Sequence, residues 1–250
     1  MHTVMKLIRI ILWTIAAGFV LTQMGVSQEG PLVTDPPKGI TSPEIIQKFT
    51  AKEKEFKNAR IRCTYRQAVK MQVVDGESVT EEYQQVADVR LDENGKRVKT
   101  VVLAPQPTMT LTPEDAEDIE SRLQFTLSTD ELPEYNISYA GQQQQDDLHC
   151  YTFDVAPRQI EKNKRYFRGR IWVDDRDLQI VKMAGKSVPD ILHKKKGENL
   201  FPKFTTYREL IGGKYWFPTY SVTDDTLQFP GGEVHIRGTV KGSDYKCSVP

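Results

Sequence analysis

The sequence predicts a mainly β (α+β) fold: a curved antiparallel sheet forming an unclosed β-barrel of about ten strands, with two helices as a lid. Three observations predict it. From Arg60 onward apolar residues recur with period two over long runs, as in strands with one buried and one wet face. Turn signals rich in Gly, Asn and Asp separate these runs. Two other segments open with helix-start residues and continue with apolar residues at helical spacing.

The first helix, about 43 to 58, is announced by Ser42 as N-cap, Pro43 at the first position and Glu44 in the first turn. Ile45, Phe49 and Phe56 recur on one face. Then Ile61, Cys63, Tyr65, Val69, Met71 and Val73 alternate with Arg62, Thr64, Arg66, Lys70 and Gln72. Asp75-Gly76 turns this strand into a second, Glu77 to Leu91, and Asn94-Gly95 leads into a third, Lys96 to Leu103. Thr112, Pro113, Glu114 and Asp115 start a second helix whose stripe is Ala116, Ile119 and Leu123, with Phe125 close to its end. Seven further strands follow, at about 135–140, 149–156, 166–174, 178–186, 201–211, 214–224 and 234–241. Ten antiparallel strands either split into two sheets or curl, and consecutive hairpins without a visible long crossover favour curling. Two short helices cannot cover the whole concave face, so an apolar cavity between sheet and helices is expected.

The N-terminus points to export. Lys6 and Arg9 precede an apolar stretch from Ile10 to Leu21, and small or polar residues follow through Ser27, the pattern of a signal peptide over residues 1–27. As a helix the apolar stretch spans roughly 18 Å, short of the roughly 30 Å of a hydrocarbon core. Cleavage is expected between about Gly25 and Gly30; the alternative is an uncleaved segment that anchors the chain to the inner membrane. Residues 28–41, with Pro31, Pro36, Pro37 and Gly39, read as a flexible leader, and 42–246 as the folded domain.

Without Lys6 and Arg9 the chain carries 32 basic and 34 acidic residues, a balance with no general pull towards nucleic acid. The three cysteines are Cys63, Cys150 and Cys247. Cys63 is in phase with the apolar residues of its strand and Cys150 is out of phase with Tyr151, Phe153 and Val155, which places the two thiols on opposite faces and disfavours their pairing. The terminal Cys247-Ser-Val-Pro is a poor prenylation box, because Pro is a poor last residue.

The run Ile171-Trp-Val-Asp-Asp-Arg-Asp-Leu-Gln-Ile-Val-Lys-Met-Ala-Gly-Lys186 resembles a hairpin of the periplasmic lipoprotein-carrier superfamily. The segment Phe204-Thr-Thr-Tyr-Arg-Glu-Leu-Ile-Gly-Gly-Lys-Tyr-Trp-Phe-Pro218 resembles the hairpin that commonly follows. The resemblance, to outer-membrane lipoprotein-sorting-like proteins, covers about residues 43 to 245. It implies an unclosed β-barrel with a helical lid around a hydrophobic cavity for acyl chains, lipids or lipoproteins. Related envelope-stress sensor domains share that fold, which implies an envelope protein partner as the competing role.

Catalytic constellations are missing from the sequence. His2, His149, His193 and His235 lack metal-ligand spacing. Asp174, Asp175 and Asp177 lack the EF-hand pattern and read as solvated turn residues. Asp146-Asp147 and Asp224-Asp225 are adjacent strand carboxylates that point apart. Neither a glycine-rich phosphate loop nor a Gly-x-Ser-x-Gly elbow occurs. Lys194, Lys195 and Lys196 read as a solvated loop, and Trp172 as a residue of the outer sheet face. The expectation is a non-enzymatic binding protein without metal or cofactor. Its cavity lining is expected from Met71, Val73, Val89, Leu91, Ile119, Leu123, Phe125 and Phe217. The alternative is a sensor or scaffold of the same fold with a filled core.

Overall fold

The computed structural model describes residues 29–94, 96–193 and 197–248. The proposed signal peptide, His2 and Lys194 to Lys196 lie outside them. The elements are α1 (Ser42–Arg60), β1 (Cys63–Asp75), β2 (Ser78–Leu91), β3 (Arg97–Leu103), α2 (Pro113–Ser121), a 3-10 turn (Leu132–Glu134), β4 (Tyr135–Gln145), β5 (Leu148–Pro157), β6 (Tyr166–Asp174), β7 (Ile180–Val188), β8 (Ile191–His193), β9 (Gly197–Asn199), β10 (Phe204–Ile211), β11 (Tyr215–Phe229) and β12 (Gly232–Cys247).

Ten strands form one antiparallel sheet in the order β3-β2-β1-β12-β11-β10-β7-β6-β5-β4, and the sheet does not close. Both helices lie on its concave face, so the fold is the expected mainly β, unclosed barrel with helices. The long strands carry the curl: β11 has 15 residues and β12 has 16. At the β10–β11 turn Gly212 and Gly213 both take positive φ, 64° and 72°, the left-handed pair a tight hairpin requires.

Three features differ from the expected string of consecutive hairpins. First, β1 pairs with β12, Val69 opposite Val240, so the first and last strands meet inside the sheet, third and fourth from its β3 edge. The chain from β3 to β4 must therefore cross from one sheet edge to the other, and it carries α2 over the concave face on the way. This crossover is invisible to a local reading because it depends on which distant strands pair. Second, β8 and β9 form a separate short hairpin. Third, the N-cap of α1 is Thr41 rather than Ser42. Thr41 N–H donates to Glu44 Oε2 (2.8 Å) and Glu44 N–H to Thr41 Oγ1 (3.4 Å), a reciprocal box that Ser42, one residue later, cannot form with Glu44.

A disulfide joins Cys63 to Cys247 and so ties the start of β1 to the end of β12, 184 residues apart. Closing so long a loop is worth on the order of 5 kcal/mol in the chain-entropy account. Cys150 is a buried free thiol on the other face, packed with Trp172 and Val181. Burial, then Asp174 and Asp175, push it up to about 12, which disfavours the thiolate.

The convex side is partly covered by the stretch expected as a leader. Gly30 N–H donates to the Gln144 carbonyl (2.9 Å), and Val33 and Gln142 exchange backbone bonds (2.8 and 2.7 Å). The free edge of β4 is thereby occupied. Beside it the Trp172 indole donates to Gln143 Oε1 (2.8 Å), and the buried Lys182 ammonium lies 4.4 Å from the Trp172 ring centroid and pairs with Glu29. Among the described residues no helix is long and apolar enough to cross a membrane.

Candidate functional site: a hollow beneath the second helix

A cavity of about 290 Å³ opens between the central strands and α2. Its floor is Met71 and Val73 of β1, Leu227 of β11, and Val234 and Ile236 of β12. Ile119 of α2, with Met109, Leu111 and the Leu200–Pro202 segment, forms the roof. The floor follows from strand alternation: side chains two residues apart share the concave face. Gly238, opposite Met71 in the register, leaves room for that side chain, since a Cβ there would collide with Met71 Sδ.

Charged contacts hold α2 over this floor. Glu120 is buried and receives Lys99 Nζ (2.7 and 2.8 Å) and Arg97 (2.7 Å) from β3, while Gln67 of β1 donates to the Glu120 carbonyl (2.9 Å). On the other side Asn199 donates to Thr112 Oγ1 (2.7 Å) and Asp115 Oδ1 (3.0 Å), the two capping residues of α2. Arg122, just past the helix, is buried and donates to Asp118 Oδ2 (3.0 Å) and to Thr223 of β11. Burial pushes the Arg122 guanidinium below its ordinary value, and Asp118 opposes that shift.

A second, more open hollow of about 950 Å³ adjoins the first, between α2, residues 160–165 and residues 187–191. Most of its lining residues are polar or charged, Glu114, Glu117, Lys162, Lys164 and Asp190 among them, and Asp118 lines both hollows. Arg165 stands beside Asp118, its guanidinium carbon 3.4 Å from the centroid of the Phe201 ring.

Of the eight residues expected to line a cavity, Met71, Val73 and Ile119 face the 290 Å³ hollow. Leu91, Leu123 and Phe217 border a separate void of about 20 Å³ near the disulfide. Val89 is buried on β2 opposite Tyr65, and Phe125 packs on Phe167 with ring centroids 4.9 Å apart. Sequence reasoning passed over Met109, Leu111, Phe201, Leu227, Val234 and Ile236. A signal existed for some of them: Val234 and Ile236 share a strand phase, and Leu227 is the register partner of Val234. Met109 and Leu111 stood out as apolar residues in a Pro- and Thr-rich loop.

Elsewhere His235 Nε2 meets Asp224 Oδ1 at 2.5 Å, an exposed pair on neighbouring strands. Asp174, expected as a solvated turn residue, is buried instead, and accepts from the backbone N–H groups of Arg176 (3.3 Å) and Asp177 (3.2 Å) in the geometry of a turn. Among the described residues no group of three or more His, Cys, Asp or Glu side chains is placed to hold a metal ion.

No family model and no curated protein matches the chain. Among solved structures it is similar to a LolA superfamily protein from Nitrosomonas europaea, with 18% identity and a TM-score of 0.34 over 80% of this chain and 95% of that one. A DUF1329 family protein from Desulfovibrio piger gives 14% identity and a TM-score of 0.39 over the same shares. The MucA/MucB complex of Pseudomonas aeruginosa gives 10% identity and a TM-score of 0.21 over 80% of this chain and 100% of that one. At such TM-scores the likeness brings neither ligand nor partner to this chain.

Proposed function

We propose that this chain is a non-enzymatic envelope protein, exported by residues 1–27 to the periplasm, that shelters an acyl chain of a lipid or lipoprotein beneath α2. One observation carries the reading: the hollow under α2 is walled mainly by apolar side chains, including Met71, Val73, Ile119 and Phe201. Its volume lies near the lower end of ligand pockets, which run from about 300 Å³. Each buried CH₂ contributes about 0.8 kcal/mol, so chain burial alone gives useful affinity without catalytic chemistry. Flexible Met71 and Met109 suit a ligand of variable shape.

Titration of delipidated protein with a fluorescent acyl probe tests this. Wild-type protein is expected to bind, and Val73→Asp to weaken binding at least about tenfold, because an uncompensated charge in an apolar site is strongly disfavoured. Val73 is only half-buried, so the variant is expected to keep its circular dichroism spectrum. A wild-type protein that binds no probe supports the second reading, an envelope sensor or scaffold that acts through a protein partner. The filled packing beneath α1 favours that alternative, since Ile45, Phe49, Phe153 and Ile171 are all fully buried there.

A further inference from the structure

On the convex face, residues 29–35 lie along the free edge of β4, and the contacts that hold them form a site of a different kind. Its anchor is Lys182 of β7, whose side chain is 4% exposed. The ammonium stands 4.4 Å from the Trp172 ring centroid and 5.4 Å from that of Tyr207, donates to Gln145 Oε1 (2.9 Å) and pairs with the Glu29 carboxylate. Glu29 itself is 46% exposed, so the anchor is reached from the solvent side. A buried ammonium that loses its carboxylate is strongly destabilising, which makes this point of the edge selective for negative charge.

Beyond the anchor the edge recognises backbone. Besides the strand-like bonds of Gly30 and Val33, Gln143 Nε2 donates to the Gly30 carbonyl (2.8 Å), and the Trp172 indole, bonded to Gln143 Oε1, fixes that amide with its nitrogen towards Gly30. The Tyr139 hydroxyl donates to the Asp35 carbonyl (2.8 Å). Glycine permits the close approach: a Cβ on Gly141 would lie 2.4 Å from the Val33 carbonyl oxygen, and one on Gly30 only 3.1 Å from Gln144 Cβ. The side chains of the bound segment add little, since Leu32 and Val33 stay 37% and 47% exposed. A segment held by its backbone and one carboxylate, with little apolar burial, opens locally far more readily than the sheet itself. Another extended segment with the same two features fits the same edge.

We propose that the β4 edge, with Lys182 as its anchor, is a strand-addition site for a protein partner, and that residues 29–35 fill it in cis until the partner displaces them. The matching segment is extended and carries an acidic residue followed by Gly. The site lies on the opposite face of the sheet from the hollow under α2 and is independent of the acyl-chain reading.

The probe is a fluorescent, acetylated peptide Glu-Gly-Pro-Leu-Val-Thr-Asp-Pro, the sequence of residues 29–36. It is titrated into the mature chain carrying Glu29→Ala and Val33→Pro, which removes the carboxylate of the arm and one of its backbone hydrogen bonds. Binding is expected to be at least about tenfold tighter than to wild type, whose own arm competes at an effective concentration of order millimolar. A peptide with Gln in place of Glu is expected to bind roughly thirtyfold more weakly, the fold-change for loss of one partner of a buried charge pair. Failure of the peptide to bind the folded variant, or equal binding of the Glu and Gln peptides, overturns the proposal. Hydrogen exchange on wild-type protein decides it if the variant does not fold. The Gly30 and Val33 amides are expected to exchange at least about a hundredfold faster than that of Val240, which is buried within the sheet, and equal protection overturns displacement of the arm. A wild-type dimer in sedimentation that Glu29→Ala abolishes would assign the site to the arm of a second copy and overturn a separate partner.

Discussion

Helices α1 and α2 lie on the same concave face and meet it in different ways. Under α1, Ile45 and Phe49 reach the sheet and pack against Phe153, Ile171 and Met183, with the Phe49 and Phe153 ring centroids 5.7 Å apart. Under α2, Ile119 is the chief apolar side chain aimed at the floor, and the remaining space is the 290 Å³ hollow. Length is part of the reason: α1 has 19 residues and α2 has nine. Composition is the rest, because the inward positions Asp118 and Glu120 of α2 are spent on ion pairs with Arg122, Arg97 and Lys99. A helix fastened by charges at its rim can stand off a sheet that a helix with a continuous apolar stripe must touch.

Each half also holds a buried ion pair, and these do different work. Arg208 of β10 makes a two-pronged contact with Glu53 of α1 (2.7 and 3.1 Å) and donates to the Phe125 carbonyl (3.1 Å), so both carboxylate oxygens are used. Nearby Arg60 donates to the Gln124 carbonyl (2.6 Å), and burial together with the like charge of Arg208 lowers it to about 10. In the Asp118–Arg122 pair the second carboxylate oxygen, Oδ1, faces Arg165 at 3.8 Å. The first pair fixes α1 to the sheet; the second ties the end of α2 to β11 through the Arg122–Thr223 contact.

The largest expected effects break the filled half. Phe49→Ala should lower the free energy of unfolding by about 3–5 kcal/mol, whereas Met109→Ala, in the roof of the hollow, should fall near the low end for its type, about 2 kcal/mol. Urea denaturation of both variants makes the comparison, and equal costs would mean the two halves are packed alike. Removing one partner of the α1 pair, Arg208→Met, should cost about 3–5 kcal/mol because Glu53 is left buried and unpaired. Glu53→Leu combined with Arg208→Met should recover most of that loss in the same assay.

A subtler test adds volume instead of removing it. Ile45→Phe has nowhere to place its ring and should cost about 1–3 kcal/mol. Ile119→Phe grows into existing space, so stability should change by less than about 1 kcal/mol while binding of an acyl probe is lost. Unchanged binding in Ile119→Phe would remove the hollow under α2 from the binding reading. The smallest effect is electrostatic and belongs to the start of α1. Hydrogen bonds from the Thr41 hydroxyl and backbone amide hold the Glu44 carboxyl below its ordinary 4.5. A depressed carboxylate contributes stability above the unfolded value and loses it as pH falls through the folded one. A carboxyl NMR titration should therefore place Glu44 below 4.5, and Thr41→Ala, which removes the hydroxyl but keeps the backbone amide, should raise it part of the way back.

Period, caps and turns were legible in the sequence because each is written within a few residues of where it acts. Alternation over Cys63 to Val73 placed β1 and its inward face, Asp75-Gly76 placed the first hairpin, and Thr112-Pro113 placed the start of α2. The same local logic found Met71, Val73 and Ile119, because strand and helix phase decide which side chains point at the concave face. Local logic could not say that α2 would end at Ser121, nor that Leu123, expected on the helical stripe of Ile119, would instead help close a void of only about 20 Å³. That outcome depends on Gly242 and Tyr245, some 120 residues away in sequence and adjacent only after folding. Pairing of β1 with β12, the Cys63–Cys247 bridge, the crossover that carries α2 and the Arg122 and Arg165 contacts of Asp118 were likewise settled by tertiary structure. Each is a relation between distant segments, and a hollow is the volume left when several such segments have met, a quantity that no single stretch of sequence contains.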